Sequence, residues 1–158
     1  MLESLEKIIG NYYVDSKIII GCDHVALELK ASIMMHVREN YQNIVIEDVG
    51  VFTTESSNYP EIADLVSEKV LAENANGILI CGTGVGMSIA ANRHKGIRAV
   101  VCSESYSSSL SKQHNDSNIL CLGARVVGQE LAKMILDQWL QADYEAGRHA
   151  IRVEMLDS

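Results

Sequence analysis

The chain has 158 residues, with 13 Lys and Arg against 21 Asp and Glu and a formal charge of −8. That length suits one hydrophobic core rather than two full domains, and 47% hydrophobic with 22% charged residues excludes disordered and low-complexity readings. The acidic balance excludes a surface built to coat nucleic acid, so any anion site must be local.

In chain order, residues 1–16 read as an N-terminal extension in which Leu2, Leu5, Ile8, Ile9 and Tyr12 have the spacing of a short amphipathic helix. The extension carries Glu3, Glu6 and Asp15 without a basic region or an apolar block, which is unlike a signal peptide. Residues 17–158 read as a single domain. Short apolar runs at Ile18–Ile20, Ile44–Val49, Ile78–Ile80, Ala99–Val101 and Ile119–Leu122 alternate with stretches of helical period. Runs this rich in Ile, Val and Leu predict parallel strands covered on both faces. Between them, Leu29, Ile33, Val37 and Tyr41 mark one helix, and Ile62, Leu65, Val66 and Val70 mark another that starts near Pro60. A further helix is predicted over about 129–142, with the apolar members of Leu131, Ile135, Gln138 and Trp139 facing the sheet. The tail from Glu145 to Ser158 reads as a basic helix carrying Arg148 and Arg152 on one face. The fold class is therefore α/β, a three-layer α/β/α sandwich around a five-stranded parallel sheet, Rossmann-like in architecture. No apolar run reaches the roughly 18 residues a membrane span needs, so the expected address is cytoplasmic with no membrane partner.

The segment from Gly77 to Ser88 carries the strongest chemical signal, a buried-type strand that runs into Gly82, Gly84 and Gly86 and then a helix. Three glycines in five positions let backbone N–H groups converge on a small oxyanion or phosphate. A bare strand-to-helix turn is the alternative. No Gly-Lys-Ser/Thr follows Gly86, and Met87 stands where a dinucleotide fingerprint needs glycine, so ATP and NAD are poor ligands and no cofactor is expected. Cys81 ends the strand, where open α/β sheets place their ligand crevice, and a thiol there is either a base or a packed core residue. Asp23 and His24 end the first strand at the same rim; Asp23 alone would read as a helix cap. Cys22, Cys81, Cys102 and Cys121 are widely spaced with no CxxC pair, so free thiols and no metal site are expected. His114 and Asn115 precede the fifth strand, at the wrong end of the sheet for this crevice. They belong either to plain surface or to a crevice in a neighbouring subunit. Arg148 and Arg152 form a phosphate clamp or pair with Glu145 and Glu154 on a solvated face.

Together, GCDH at Gly21–His24, NYPEIA at Asn58–Ala63, GILICGTGVGMSIAANRHKGIRA at Gly77–Ala99, SKQHNDSNIL at Ser111–Leu120 and GRHAIRV at Gly147–Val153 resemble the type B ribose-5-phosphate isomerases. Allose and galactose phosphate isomerases belong to the same family. The resemblance runs from about Ile18 to Val153 and implies a five-stranded parallel sheet and a homodimer or tetramer of dimers with shared active sites. It implies aldose–ketose isomerisation of ribose 5-phosphate and ribulose 5-phosphate through an enediolate, a step of carbohydrate metabolism in the pentose phosphate pathway. Cys81 then matches the proton-transfer base, Thr83 the hydroxyl near the migrating oxygen proton, and Gly82, Gly84 and Gly86 the nest around the enediolate oxygen. His114 matches the ring-opening acid/base, with Asp23 on the sugar and Asn115 reaching in from the partner subunit. His24, Arg125, Arg148 and Arg152 match the phosphate cluster, and Tyr59 lines the site. Relatives that lack the cysteine use a glutamate just past the glycine turn, and here that position is Met87. Ala26, where many relatives have glycine, and the leading extension depart from the family pattern. Three alternatives remain: an allose-6-phosphate isomerase, a sugar-phosphate sensor that binds without turnover, and a thiol redox protein built on Cys81.

Overall fold

The computed structural model describes residues 16–158; the predicted leading helix lies outside them. The chain runs β1 (Ser16–Cys22), α1 (Leu27–Asn40), β2 (Ile44–Asp48), α2 (Tyr59–Glu73), β3 (Asn76–Cys81), α3 (Val85–Ala91), β4 (Ala99–Val101), α4 (Ser105–Asn115), β5 (Ile119–Gly123) and α5 (Gln129–Leu140). A 3-10 turn (Gly147–His149) and α6 (Ala150–Leu156) complete it. All five strands are parallel, in the order β2-β1-β3-β5-β4. The connection from β1 goes to one edge and that from β2 crosses back over β1, so the strand order reverses between β1 and β3. Open α/β sheets bind ligands at such a reversal, beyond the carboxyl ends of the strands.

The period of two along each strand divides the core into two layers. Ile18, Ile20, Ile78, Ile80, Leu120 and Leu122 pack against Leu29, Ile33 and Val37 of α1 and Ala132, Ile135, Leu136 and Trp139 of α5. Ile19, Leu79, Cys81, Ile119 and Cys121 pack on the other side, against Ala63, Val66 and Val70 of α2 and Met87, Ala90 and Ala91 of α3. This is the expected three-layer sandwich. Two helix faces differ from their sequence reading. Leu131 is exposed and Ala132 and Leu136 join Ile135 and Trp139 on the inner face of α5, while Leu65 of α2 is exposed and Ala63 is buried in its place. Both helices pack beside a neighbouring helix as well as the sheet, and alanine suits the closer approach. Among the described residues no helix is long and apolar enough to cross a membrane.

Candidate active site

β3 and β5 run side by side from Gly77 beside Ile119 to Cys81 beside Gly123, and the glycine loop springs from their shared carboxyl edge. Gly84 takes a left-handed φ of +81° to start α3, and a Cβ there would lie 3.2 Å from the Leu122 carbonyl oxygen. That turn brings the Gly84 N–H to Cys81 Sγ at 3.1 Å, so a negatively charged sulfur at this position has a backbone partner. Cys81 is 5% exposed, at the floor of the rim, whereas Thr83 above it is exposed and its Oγ1 accepts from Val85 N–H at 3.3 Å. Met87 is fully buried in the α2/α3 layer and points no group at the rim. The other cysteines are inert by comparison. Burial pushes the Cys22 and Cys102 thiols up to about 11, and Cys121, which is fully buried, higher still.

Asp23 follows β1 at the same edge, its N–H donating to the Ile80 carbonyl at 3.0 Å. Its Oδ1 accepts from Val25 N–H at 3.0 Å and closes a local turn, and α1 begins only at Leu27 after Ala26, so Asp23 does not cap that helix. His24 Nδ1 accepts from Ser57 N–H at 3.3 Å and lies 3.3 Å from Ser57 Oγ. With Nδ1 used as acceptor, the neutral ring carries its proton on Nε2. Tyr59, the first residue of α2, lies over Gly86 so closely that a Cβ would come within 2.7 Å of its ring. Arg125 N–H donates to the Gly82 carbonyl at 3.0 Å, and its side chain passes over Gly82. Cys81, Thr83, Asp23, His24, Tyr59, Arg125 and the three glycines thus share one end of the sheet.

The remaining predicted residues lie at the other end. Glu104 caps α4, both carboxylate oxygens accepting from Ser107 N–H at 3.0 Å, and the Ser107 side chain together with this N–H holds its carboxyl below the usual range. At the other end of α4, Asp116 turns left-handed (φ +47°) and ends the helix, leaving His114 and Asn115 in its last turn before β5 begins. Strand β5 spans the gap from Ile119 to Gly123, roughly 13 Å at about 3.3 Å per residue. Arg148 on the 3-10 turn and Arg152 on α6 are both exposed near this end. They do not pair with Glu145. Instead Glu145 Oε2 lies 3.8 Å from Nε2 of both His114 and His149. Sequence reasoning passed over His149, inside the quoted GRHAIRV segment, and Ser57, 33 residues from the histidine it orients. Among the described residues, His114, Glu145 and His149 alone group three possible metal donors. The two rings are stacked nearly parallel, with centroids 4.3 Å apart and planes 9° apart.

Fold and rim define an α/β protein with a buried thiol beside a glycine turn, an acid and an imidazole across the strand reversal, and the Arg125 side chain over Gly82. The chain belongs to the ribose/galactose isomerase family, whose model matches residues 18–156, and that family comprises aldose–ketose isomerases. It is 55% identical over 141 residues to the ribose-5-phosphate isomerase B of Escherichia coli, covering 89% of this chain and 93% of that one. The ribose-5-phosphate isomerase B structure from Clostridium thermocellum superposes with a TM-score of 0.86 at 46% identity, covering 89% of this chain and 95% of that one. A Mycoplasma genitalium ribose-5-phosphate isomerase B, described with bound ribulose-5-phosphate, superposes with a TM-score of 0.86 at 35% identity, over 92% of this chain and 96% of that one.

Proposed function

We propose that the protein interconverts ribose 5-phosphate and ribulose 5-phosphate, with Cys81 as the base. The observation that carries this reading is the Cys81 sulfur held at the floor of the rim by the Gly84 N–H at 3.1 Å, supported by the names of the relatives. The substrate enters as a cyclic hemiacetal. A proton leaves the C1 hydroxyl, a proton reaches the ring oxygen, and the C1–O bond breaks to give the aldehyde and a free C4 hydroxyl; His114 and Asp23 are the acid/base groups for this step. The Cys81 thiolate then takes the C2 proton, and the released electron pair forms the C1–C2 double bond of an enediolate. Backbone N–H groups of the Gly82–Gly86 loop oppose the charge on its oxygen. Cys81 returns the proton to C1, while the O2 proton passes to O1 beside Thr83, so that the C2 ketone and the C1 hydroxyl form together. His24, Arg125, Arg148 and Arg152 hold the phosphate, whose binding energy positions the reacting carbons, and Tyr59 walls the sugar over Gly86.

These groups lie at opposite ends of one sheet, so one chain cannot close the site. A homodimer resolves this, with His114, Asn115, Arg148 and Arg152 of one copy facing Cys81 of the other. The open edge strand β4 supports such an arrangement. Val101, 40% exposed, borders a cleft of about 420 Å³ that also includes Leu110 and Asn115, and Val85 and Ile89 of α3 expose apolar side chains.

Incubation with ribose 5-phosphate in deuterated water, followed by NMR, tests the reading. Wild type is expected to form ketose with solvent deuterium incorporated, and Cys81→Ala to lose on the order of 10²–10⁴-fold. A folded wild type without turnover would move allose 6-phosphate, and after it the sensor role, to the front.

A further inference from the structure

Arg98 stands just before β4, and its backbone is locked to the residue that precedes β5. Its N–H donates to Asn118 Oδ1 at 2.8 Å, and its carbonyl accepts from Asn118 N–H at 3.1 Å. From this fixed base the side chain, 15% exposed, reaches the C-terminal ends of two helices. Nε donates to the Asn115 and Asp116 carbonyls at 3.1 and 2.9 Å, and Nη2 to Asp116 Oδ2 at 3.0 Å. Nη1 donates to Asp157 Oδ2 at 2.8 Å. Asp116 is the residue that ends α4, and Asp157 is the one that ends α6. The chemistry above gives Arg98 no part.

We propose that Arg98 is a positioning residue for the half of the site that one subunit offers to the other. It fixes the end of α4, which carries His114 and Asn115, against α6, which carries Arg152. The inference rests on the shared-site reading above. The last carbonyls of a helix lack partners within it, and its C-terminus carries partial negative charge. Two such ends, each with an added carboxylate, repel one another. A guanidinium between them satisfies the carbonyls and offsets both carboxylates. Lysine would offset the charge as well, but only the planar fork of arginine meets four acceptors in fixed directions. The anchor is backbone at the sheet rather than either helix, so an acid/base group and a phosphate ligand are held in register before substrate binds.

Placing the substitution in one chain or the other of a mixed dimer tests this. A dimer of one Cys81→Ala chain and one His114→Asn chain keeps a single complete site, whose His114, Asn115 and Arg152 come from the Cys81→Ala chain. Arg98→Met on that chain is expected to lower turnover of ribose 5-phosphate about tenfold. On the His114→Asn chain it disturbs only the disabled site, and turnover should change less than about twofold. Asp157→Ala is the milder variant, because it frees α6 and leaves the bonds from Arg98 to α4. It should raise KM about threefold with kcat unchanged, again only from the Cys81→Ala chain. This variant decides the matter where Arg98→Met chains do not assemble. Equal losses from either placement would make Arg98 merely structural and overturn the proposal, and unchanged kinetics in both placements would overturn it too. An inactive mixed dimer of the two parent chains, beside an active wild type, would instead refute the shared site, and this role with it.

Discussion

Gly123→Ala tests whether the glycine loop must sit where it does. Gly123 ends β5, and a Cβ added there would lie 2.8 Å from the Thr83 carbonyl carbon and oxygen and 2.9 Å from its Cα. Ordinary contact begins near 3.4 Å, so the gap must widen by about 0.6 Å, and the obstacle is backbone rather than the end of a flexible side chain. Overpacking of this kind costs about 1–3 kcal/mol, which for a domain of this size lowers Tm by roughly 3–10 °C. The displaced atoms carry Thr83 and lie next to Gly84, whose N–H contacts Cys81 Sγ. A misplacement of about 1 Å costs on the order of 100-fold, so 0.6 Å is expected to lower kcat by about tenfold. Gly128→Ala is the control, because nothing lies within 4 Å of its added methyl and its φ of −72° suits alanine. Thermal melts and the coupled isomerase assay measure the two effects. Full activity and an unshifted Tm in Gly123→Ala would refute the tight loop-to-strand approach and the catalytic placement built on it.

Mixing Cys81→Ala with His114→Asn should restore about a quarter of wild-type activity after subunit exchange, because half the dimers become mixed and each mixed dimer holds one intact site. Failure to regain activity in verified mixed dimers would place both groups in one chain's site. Lys112 supplies a pH prediction. Burial, aided by Arg98 and opposed by Asp116, pushes its pKa down to about 8, so between pH 8 and 10.5 the unfolded chain binds more protons at this position than the folded one. Its contribution to stability therefore rises with pH across that window, by at most about 3 kcal/mol and by roughly half that once its bonds to Asn76 Oδ1 and Ser117 O and its place over the Trp139 ring are counted for the ammonium form. Cys22 and Cys102, raised to about 11, act in the opposite direction above pH 9, so the measurement is the difference between wild type and Lys112→Met in urea unfolding at pH 7.5, 9 and 10.5. Parallel curves would show that Lys112 keeps an ordinary lysine titration.

The strands were legible because both faces of each are covered, which makes the apolar run itself the signal. Helix faces were less legible where two neighbours compete for one helix, and Ala132 and Ala63 carry little apolar weight in a periodicity although they are the residues that fit. The glycine loop was legible for the opposite reason, since Gly82, Gly84 and Gly86 lie within five consecutive positions and so leave their pattern in the sequence itself. His149 was not, because its contact with His114 is made by a left-handed reversal at Ala146 and a backbone bond to Gln113, neither of which leaves a spacing pattern. The same contrast governs the chemistry. Groups that bind and deprotonate a sugar carbon come from strand ends, where the parallel sheet collects them automatically at one edge. His114, one of the two groups assigned to opening the ring, and Arg148 and Arg152, assigned to the phosphate, come from a helix end and the C-terminal segment, which the same topology sends to the other edge. On the proposed assignment, this chain completes the two-stage proton transfer by placing its amino-terminal edge against the carboxyl edge of a second copy. The open strand β4, lying between the two sets, is where that contact is expected to form.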